Sequence, residues 1–177
     1  MELETGVRVV FNDVRRFGFF EMWPAGELDA YPAFAALGPE PTSNAFNGPY
    51  LRGAFRGKKT PIKAALLDQR VVAGLGNIYV CEALFRSGVS PKRLAGSLGA
   101  GRTERLAGAV RQVIDEAIAA GGSSISDFAA TDGSLGYFQH GFQVYGREGQ
   151  ACLGCARAVK RLVQSGRSTF YCGTCQR

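Results

Sequence analysis

The first part of the chain carries two short, mainly apolar runs of the kind that form β-strands. Residues 7–11 and 17–23 are rich in valine and aromatic side chains, and Asn12 and Asp13 between them are typical turn residues. We therefore predict a β-hairpin. Because an isolated hairpin is only marginally stable in water, we expect these strands to belong to a larger sheet whose other strands lie outside this sequence.

Farther along the chain the apolar positions repeat at the spacing of an α-helix. The longest stretch of this kind predicts a helix over 103–120, ended by two glycines. A shorter helix is expected at 124–130. Core packing explains these stripes, and nothing in them indicates a cofactor. The apolar members of the long stripe are Leu106, Ala109, Val110, Val113, Ile114 and Ile118.

Three helix starts are indicated by residues that cap helices. Asn47 precedes one helix, and Thr60 precedes another that would have Pro61 at its first position. Asn77 follows a Gly-x-Gly turn and is predicted to cap a helix that begins at Ile78. Free backbone donors at that helix start would suit a phosphate, although Gly-x-Gly-Asn is more often an ordinary cap.

Four cysteines near the end of the sequence have the spacing of a structural zinc ribbon. The pairs Cys152-x2-Cys155 and Cys172-x2-Cys175 are separated by sixteen residues. Each pair places two thiolates on one tight turn, and two such turns complete a tetrahedral shell with no open position. We predict one structural zinc ion. Cys81 has no partner by count and is expected to be a small buried apolar side chain.

The composition points to a globular protein with a polyanionic partner. The formal net charge is +6 and the sequence pI is about 9.3. Residues 147–177 carry six basic side chains against the single acidic Glu148, so the predicted ribbon has a basic rim that suits nucleic acid. No apolar run reaches the roughly 20 residues of a membrane span, and the first four residues lack the basic and then apolar regions expected of a signal peptide. We expect a cytoplasmic protein.

Residues 131–149 are rich in glycine and aromatic side chains and lie between the last predicted helix and the ribbon. Such a segment is either a plain connection or a functional loop, and the sequence favours neither. His140 within it is expected to be an ordinary surface or loop histidine.

Several motifs occur together in an order that resembles one family. The chain resembles formamidopyrimidine-DNA glycosylase, a bacterial repair enzyme family for oxidised purines that is related to endonuclease VIII. The resemblance covers essentially all 177 residues. The motifs that carry it are residues 13–18, 37–41, 68–84, 136–138 and 167–172 together with the four cysteines.

The resemblance implies an α+β fold and a DNA-binding role. Residues 1–38 would be the remnant of an N-terminal β-sandwich, 39–142 a helical domain with a helix, two turns, helix motif, and 143–177 the zinc ribbon. The partner would be damaged double-stranded DNA, with no membrane and no protein partner. A monomer in the cytoplasm, associated with the bacterial nucleoid, is the corresponding expectation.

Site residues are implied where this sequence matches the family. Asn77, Tyr145 and Arg167 match groups that grip the DNA backbone around an extruded nucleotide. Arg167 also matches a proton donor in the second strand-cleaving elimination, although a phosphate contact explains its charge equally well. Lys58 matches a DNA-binding lysine, against the alternative of an ordinary solvated lysine.

The resemblance also implies residues that enter the duplex. Arg15 and Phe17 match the pair that fills the space left by the flipped base, and an aromatic ring with a guanidinium suits that vacancy. Without the resemblance, Phe17 would be interpreted as a core strand residue. The loop 131–138 matches the segment that covers the flipped lesion.

The family's nucleophile is an N-terminal proline followed by a glutamate, and this sequence begins Met1-Glu2 without that proline. One hypothesis is therefore a zinc-dependent DNA-binding module with little or no activity by itself. The other is a bifunctional DNA glycosylase and AP lyase for 8-oxoguanine and formamidopyrimidine, if residues precede Met1. An iron-containing electron carrier is a third, less favoured class.

Overall fold

The computed structural model describes residues 1–13, 16–123 and 136–177. The chain divides into two compact units, Met1–Ala36 and Leu37–Arg177. Within the described ranges no helix has the length and apolar character needed to cross a membrane.

The first unit contains short helical turns instead of the predicted hairpin. A 3-10 turn covers Ala25–Ala30 and helix α1 covers Pro32–Ala35. The prediction of strands at 7–11 and 17–23 is wrong, since neither range forms a strand, and Arg8 makes only an isolated bridge to Glu2. An apolar strand needs neighbouring strands to cover it, and this unit supplies none among its described residues.

The second unit combines four helices with a two-stranded sheet in its described part, which confirms the α+β prediction. The bounds of these elements are α2 Gly48–Phe55, α3 Ile62–Leu67, α4 Asn77–Arg86, α5 Ala100–Ala119, β1 Lys160–Gln164 and β2 Arg167–Tyr171. The helices pack mainly as α2 with α5, α4 with α5 and α3 with α4, and the sheet contacts α4 through β2.

The structure confirms one of the three predicted helix caps and shows a different cap residue for the other two. Asn47 caps α2 as predicted, because its side-chain oxygen accepts a 2.9 Å hydrogen bond from the Tyr50 amide. The cap of α3 is Pro61 and not Thr60, and the cap of α4 is Gly76 and not Asn77. The side chain of Asn77 makes tertiary hydrogen bonds, so it is not available for the helix end.

The longest helix, α5, begins three residues before the predicted start at 103 and ends one residue before 120. Thr103, predicted as the start, lies inside the helix, where its hydroxyl donates to the carbonyl of Ala100 at 2.9 Å. The predicted helix at 124–130 lies outside the described residues, as does most of the loop 131–138.

Two apolar clusters hold the second unit together. The larger one joins α2, α3, α4 and α5 around Phe46, Leu66, Leu84 and Leu106, all fully buried. The smaller one lies beneath the ribbon and includes Cys81, which is buried, at 1% exposure, as predicted from the sequence. The boundaries 1–38, 39–142 and 143–177 remain a prediction.

The ribbon sheet is an antiparallel hairpin with a two-residue turn. Gln164 pairs with Arg167, so Ser165 and Gly166 form the turn, with φ values of 49° and 71°. Left-handed conformations at both positions match the right-handed twist of the two strands. The turn places Arg167 at the tip of the hairpin.

Candidate nucleic-acid interface

The four predicted zinc ligands meet at one point of the ribbon. The Sγ atoms of Cys152, Cys155, Cys172 and Cys175 all lie within 4.8 Å of one another. Two of these separations are 3.9 Å and 3.5 Å. A tetrahedron with Zn–S bonds of about 2.3 Å has S···S edges of about 3.8 Å, so the cluster fits one structural zinc ion. Four thiolates complete its shell.

The turn around Cys172 favours its thiolate, whereas burial and the neighbouring thiols raise the pKa of Cys175 to about 12. Burial raises the pKa of the Cys172 thiol, but the backbone N–H groups of Cys175 and Thr174 and the neighbouring thiols outweigh it and lower this pKa to about 6. The amide of Gly154 lies 3.4 Å from the sulfur of Cys152. Amide donors at a sulfur stabilise its charged form, which is the form that binds metal.

The ribbon is tied to the C-terminal end of helix α4. Gln176 is buried and bridges the two parts, because its amide accepts from the Cys172 N–H at 2.8 Å and donates to the Val89 carbonyl at 2.9 Å. The Arg177 amide donates to the Gly88 carbonyl at 3.0 Å. The metal cluster is thereby fixed against the helical part of the unit.

A buried carboxylate fixes the segment between the helices and the ribbon. Glu82, which is fully buried on α4, accepts hydrogen bonds from the backbone amides of Gln143, Val144 and Tyr145 at 2.9, 3.0 and 2.9 Å. Backbone donors compensate the cost of burying this charge. Tyr145 is held beside α4 as a result, and its ring packs edge-on against Phe170 at 4.9 Å between centroids.

The start of α4 and the second ribbon strand meet at the backbone carbonyl of Ser168. The Asn77 side-chain amide donates to this carbonyl at 3.0 Å, and the Lys63 ammonium donates to it at 3.0 Å. Lys63 also donates to the Thr169 hydroxyl at 2.7 Å. The Tyr145 hydroxyl lies 3.5 Å from the Asn77 amide nitrogen. These contacts place Arg167, the neighbour of Ser168, next to the start of α4.

Lys63 is a cation in a largely desolvated position. Burial lowers the pKa of its ammonium, the nearby Cys81 raises it, and the charge of Arg167 lowers it. Two oxygen acceptors compensate for the lost water. Among the described residues no carboxylate lies within ion-pair distance of Lys63. The charges of Lys63 and Arg167 together make this end of the ribbon electropositive.

The other predicted site residues are placed differently. Lys58 is half-buried in the turn after α2, where its carbonyl accepts from the Gly96 amide at 3.0 Å, and no contact joins it to Asn77. Phe17 belongs to the first unit and is 80% exposed. Arg15 lies outside the described residues.

Three members of the cluster were not predicted from the sequence: Lys63, Glu82 and Ser168. Lys63 and Glu82 each interrupt an apolar helical run, and a charge inside such a run is the signal that could have identified them. Ser168 contributes its backbone carbonyl, for which no sequence signal exists. The structure therefore brings together Asn77, Tyr145 and the neighbourhood of Arg167, and adds these three residues.

Comparison with known proteins places the two halves of this site in one family. Residues 37–129 match the family described as formamidopyrimidine-DNA glycosylase H2TH domain, and residues 149–177 match the zinc finger found in FPG and IleRS. The formamidopyrimidine-DNA glycosylase of Cereibacter sphaeroides is 59% identical over the whole chain, which spans 63% of that relative. The Chelativorans relative is 58% identical over 96% of this chain and 60% of its own length.

Solved structures give the same result. MutM (Fpg) of Thermus thermophilus is 47% identical, with a TM-score of 0.79 over 85% of this chain and 57% of its own. Lactococcus lactis Fpg, solved with DNA that contains an abasic site, is 36% identical, with a TM-score of 0.86 over 93% of this chain and 60% of its own. The chain thus spans less than two thirds of these relatives. Because the H2TH family model covers more than half of it, the chain belongs to the formamidopyrimidine-DNA glycosylase family.

Proposed function

We propose that this chain binds damaged double-stranded DNA and serves base excision repair of oxidised purines. The observation that carries the proposal is the meeting of Asn77 and Ser168, which joins the start of α4 to the tip of the basic zinc ribbon. Two structural neighbours from Lactococcus lactis were solved with DNA containing an abasic site or Fapy-dG. Their substrates support a damaged duplex as the partner.

The proposed interface recognises the DNA backbone by charge and hydrogen bonds. Arg167 is exposed at the hairpin tip and supplies a guanidinium suited to a phosphate. Asn77 gives one amide hydrogen to Ser168 and the other to the Tyr145 hydroxyl at 3.5 Å, a length at the limit of a hydrogen bond, so a phosphate oxygen would replace the hydroxyl as its acceptor. These three donors would hold the backbone on both sides of an extruded nucleotide. Buried Lys63 orients the Ser168 carbonyl and does not itself reach the phosphate.

The roles of the remaining residues follow from the resemblance. We propose that Arg15 and Phe17 fill the space left by the flipped base, that Lys58 contacts the backbone farther along the duplex, and that Arg167 donates a proton in the second elimination. Exposure of Phe17 is compatible with insertion between bases.

Catalysis belongs to the proposal for the whole family protein. There, an N-terminal proline would attack C1′ of the damaged nucleotide and displace the base, and elimination from the resulting Schiff base would cut the strand. We propose that residues 1–177 alone bind damaged DNA without cutting it, because Met1-Glu2 supplies no proline amine. Borohydride trapping on a duplex with 8-oxoguanine tests this, and a covalent adduct would overturn it.

The binding proposal is tested with the zinc-loaded chain and fluorescent duplexes. We expect tighter binding to a 24-mer with an abasic-site analogue than to the intact 24-mer, and a steep loss of affinity with added salt as counterions are released. Equal affinity for both duplexes would contradict recognition of damage. Absence of binding at low salt would contradict the DNA-binding role itself. Size-exclusion chromatography with light scattering tests the proposed monomer.

A further inference from the structure

The ribbon has a second basic feature at the end of the hairpin opposite Arg167. A recess of about 370 Å³ opens there between the two zinc knuckles. Its lining consists of Arg157, Ala158, Lys160, Gly173 and Thr174. Two cations, a threonine hydroxyl and the backbone of a metal-binding turn thus share one small concave surface.

Rigid backbone holds both cations at this recess. The Arg157 carbonyl accepts a 2.8 Å hydrogen bond from the amide of Cys152, which ties it to the first knuckle. Lys160 begins β1 and pairs with Tyr171, directly before the second knuckle. A Cβ atom added at Gly173 would lie 3.8 Å from the Cδ, Cε and Nζ atoms of Lys160, so the lysine side chain lies alongside this glycine.

Neither cation is neutralised by a carboxylate. Among the residues that the structure describes, Arg157 and Lys160 take part in no ion pair, and both are exposed. Their neighbour Arg161 differs, since it lies 3.6 Å from Glu148 and donates to the Ser168 hydroxyl at 3.1 Å. Two uncompensated positive charges in a recess attract an anion more strongly than scattered surface charges do.

We propose that the recess formed by Arg157, Lys160, Gly173 and Thr174 binds a phosphate group. An arginine fork and a lysine ammonium are the usual donors to phosphate oxygens, and the volume of the recess is ample for this tetrahedral anion. The phosphate comes either from a nucleic-acid backbone or from a free phosphate ion in solution.

The length of β1 sets the distance between the recess and the hairpin tip. Lys160 and the hairpin tip are four residues apart along β1, which corresponds to about 13 Å. For a hairpin laid along the duplex axis, at about 3.4 Å per base pair, this distance would reach a phosphate roughly four base pairs from the one held by Arg167. If the phosphate belongs to a nucleic-acid backbone, the inference rests on the proposed function and adds a second backbone contact, beyond the one made by Arg167.

The test compares two double variants with equal changes in charge. Arg157→Ala with Lys160→Ala removes the recess cations, and Arg102→Ala with Arg105→Ala removes two cations from α5 as the control. The recess variant should bind the abasic 24-mer about tenfold more weakly than the native protein near 0.1 M salt. The magnitude of its slope of log K against log salt should also be smaller by about 1.8. Zinc content and circular dichroism check folding. If the double variant does not fold, Lys160→Gln alone takes its place.

A second arm uses inorganic phosphate as the probe. Amide NMR signals of Gly173 and Thr174 should shift to saturation on phosphate addition in the native protein and not in the recess variant. If the recess variant loses affinity for the duplex but inorganic phosphate causes no NMR shifts, the ligand is a backbone phosphate. If inorganic phosphate causes the shifts but duplex affinity is unchanged in the recess variant, the ligand is the free ion. The proposal is overturned if the recess and control variants match in both arms. The phosphate arm remains decisive even if the chain fails to bind DNA.

Discussion

The side-chain amide of Asn77 donates a 3.0 Å hydrogen bond to the backbone carbonyl of Ser168. This contact joins residues 91 positions apart in the chain and brings the first turn of α4 to the tip of the zinc ribbon. A flipped amide would direct its oxygen at the carbonyl oxygen, so the orientation of Asn77 is defined. Helix and ribbon therefore present their donors on one preorganised surface.

Removal of the Tyr145 hydroxyl should weaken DNA binding without unfolding the protein. Tyr145→Phe retains the edge-on packing against Phe170 and loses only the hydroxyl beside Asn77. We expect about a fivefold loss of affinity for the abasic 24-mer, consistent with one net hydrogen bond of about 1 kcal/mol. Fluorescence anisotropy measures it.

The matched control for that variant is Tyr31→Phe, which also removes one hydroxyl, here one that donates to Glu21 within the first unit. Its affinity and its melting temperature should remain those of the native protein. Native affinity in Tyr145→Phe would remove its hydroxyl from the proposed interface.

Neutralising Glu82 should lower the stability of the protein. Glu82→Gln replaces a charged acceptor of three backbone amides with a neutral group that has one acceptor oxygen. We expect the free energy of unfolding to fall by about 2 kcal/mol or more, because hydrogen bonds to charged groups are the stronger ones. Urea unfolding measures this.

Asp115→Asn is the control for Glu82→Gln, since Asp115 is exposed on α5. It should change the free energy of unfolding by less than about 0.5 kcal/mol. A Glu82→Gln protein as stable as this control would show that the carboxylate is not needed to fix residues 143–145.

Loss of zinc should disorder the ribbon and weaken DNA binding while the helices remain. We expect one zinc per chain in the native protein and none in Cys155→Ser, as measured by atomic emission. Cys81→Ala is the control, because Cys81 is buried outside the sulfur cluster. Full zinc binding by Cys155→Ser, or zinc loss from Cys81→Ala, would contradict the assigned ligand set.

The buried ammonium of Lys63 predicts a specific pH dependence. Its pKa is lowered by burial, so between the folded pKa and the unfolded value of about 10.5 the unfolded chain binds more protons. The stability of the native protein relative to Lys63→Met should therefore rise with pH across that window. Urea titrations of both proteins at a series of alkaline pH values measure it. A relative stability that falls with pH would contradict the assignment.

Local sequence signals predicted part of this structure well. The cysteine spacing specified the metal cluster, and Asn47 specified the start of α2, because both depend on residues close in sequence. The strands at 7–11 and 17–23 were predicted wrongly, since their stability depends on neighbouring strands that this unit does not provide among its described residues. Asn77 was assigned to a helix cap because its actual acceptor, the Ser168 carbonyl, is distant in sequence.

The central claim is that the start of α4 and the ribbon tip grip the same stretch of DNA backbone. A double-mutant cycle with Asn77→Ala, Arg167→Ala and the combined variant tests it by anisotropy with the abasic 24-mer. We predict that each single change weakens binding about fivefold or more and that the combined loss differs from the sum by at least about 0.5 kcal/mol. Unchanged affinity in either single variant, or strict additivity of the two free energies, would contradict a shared grip.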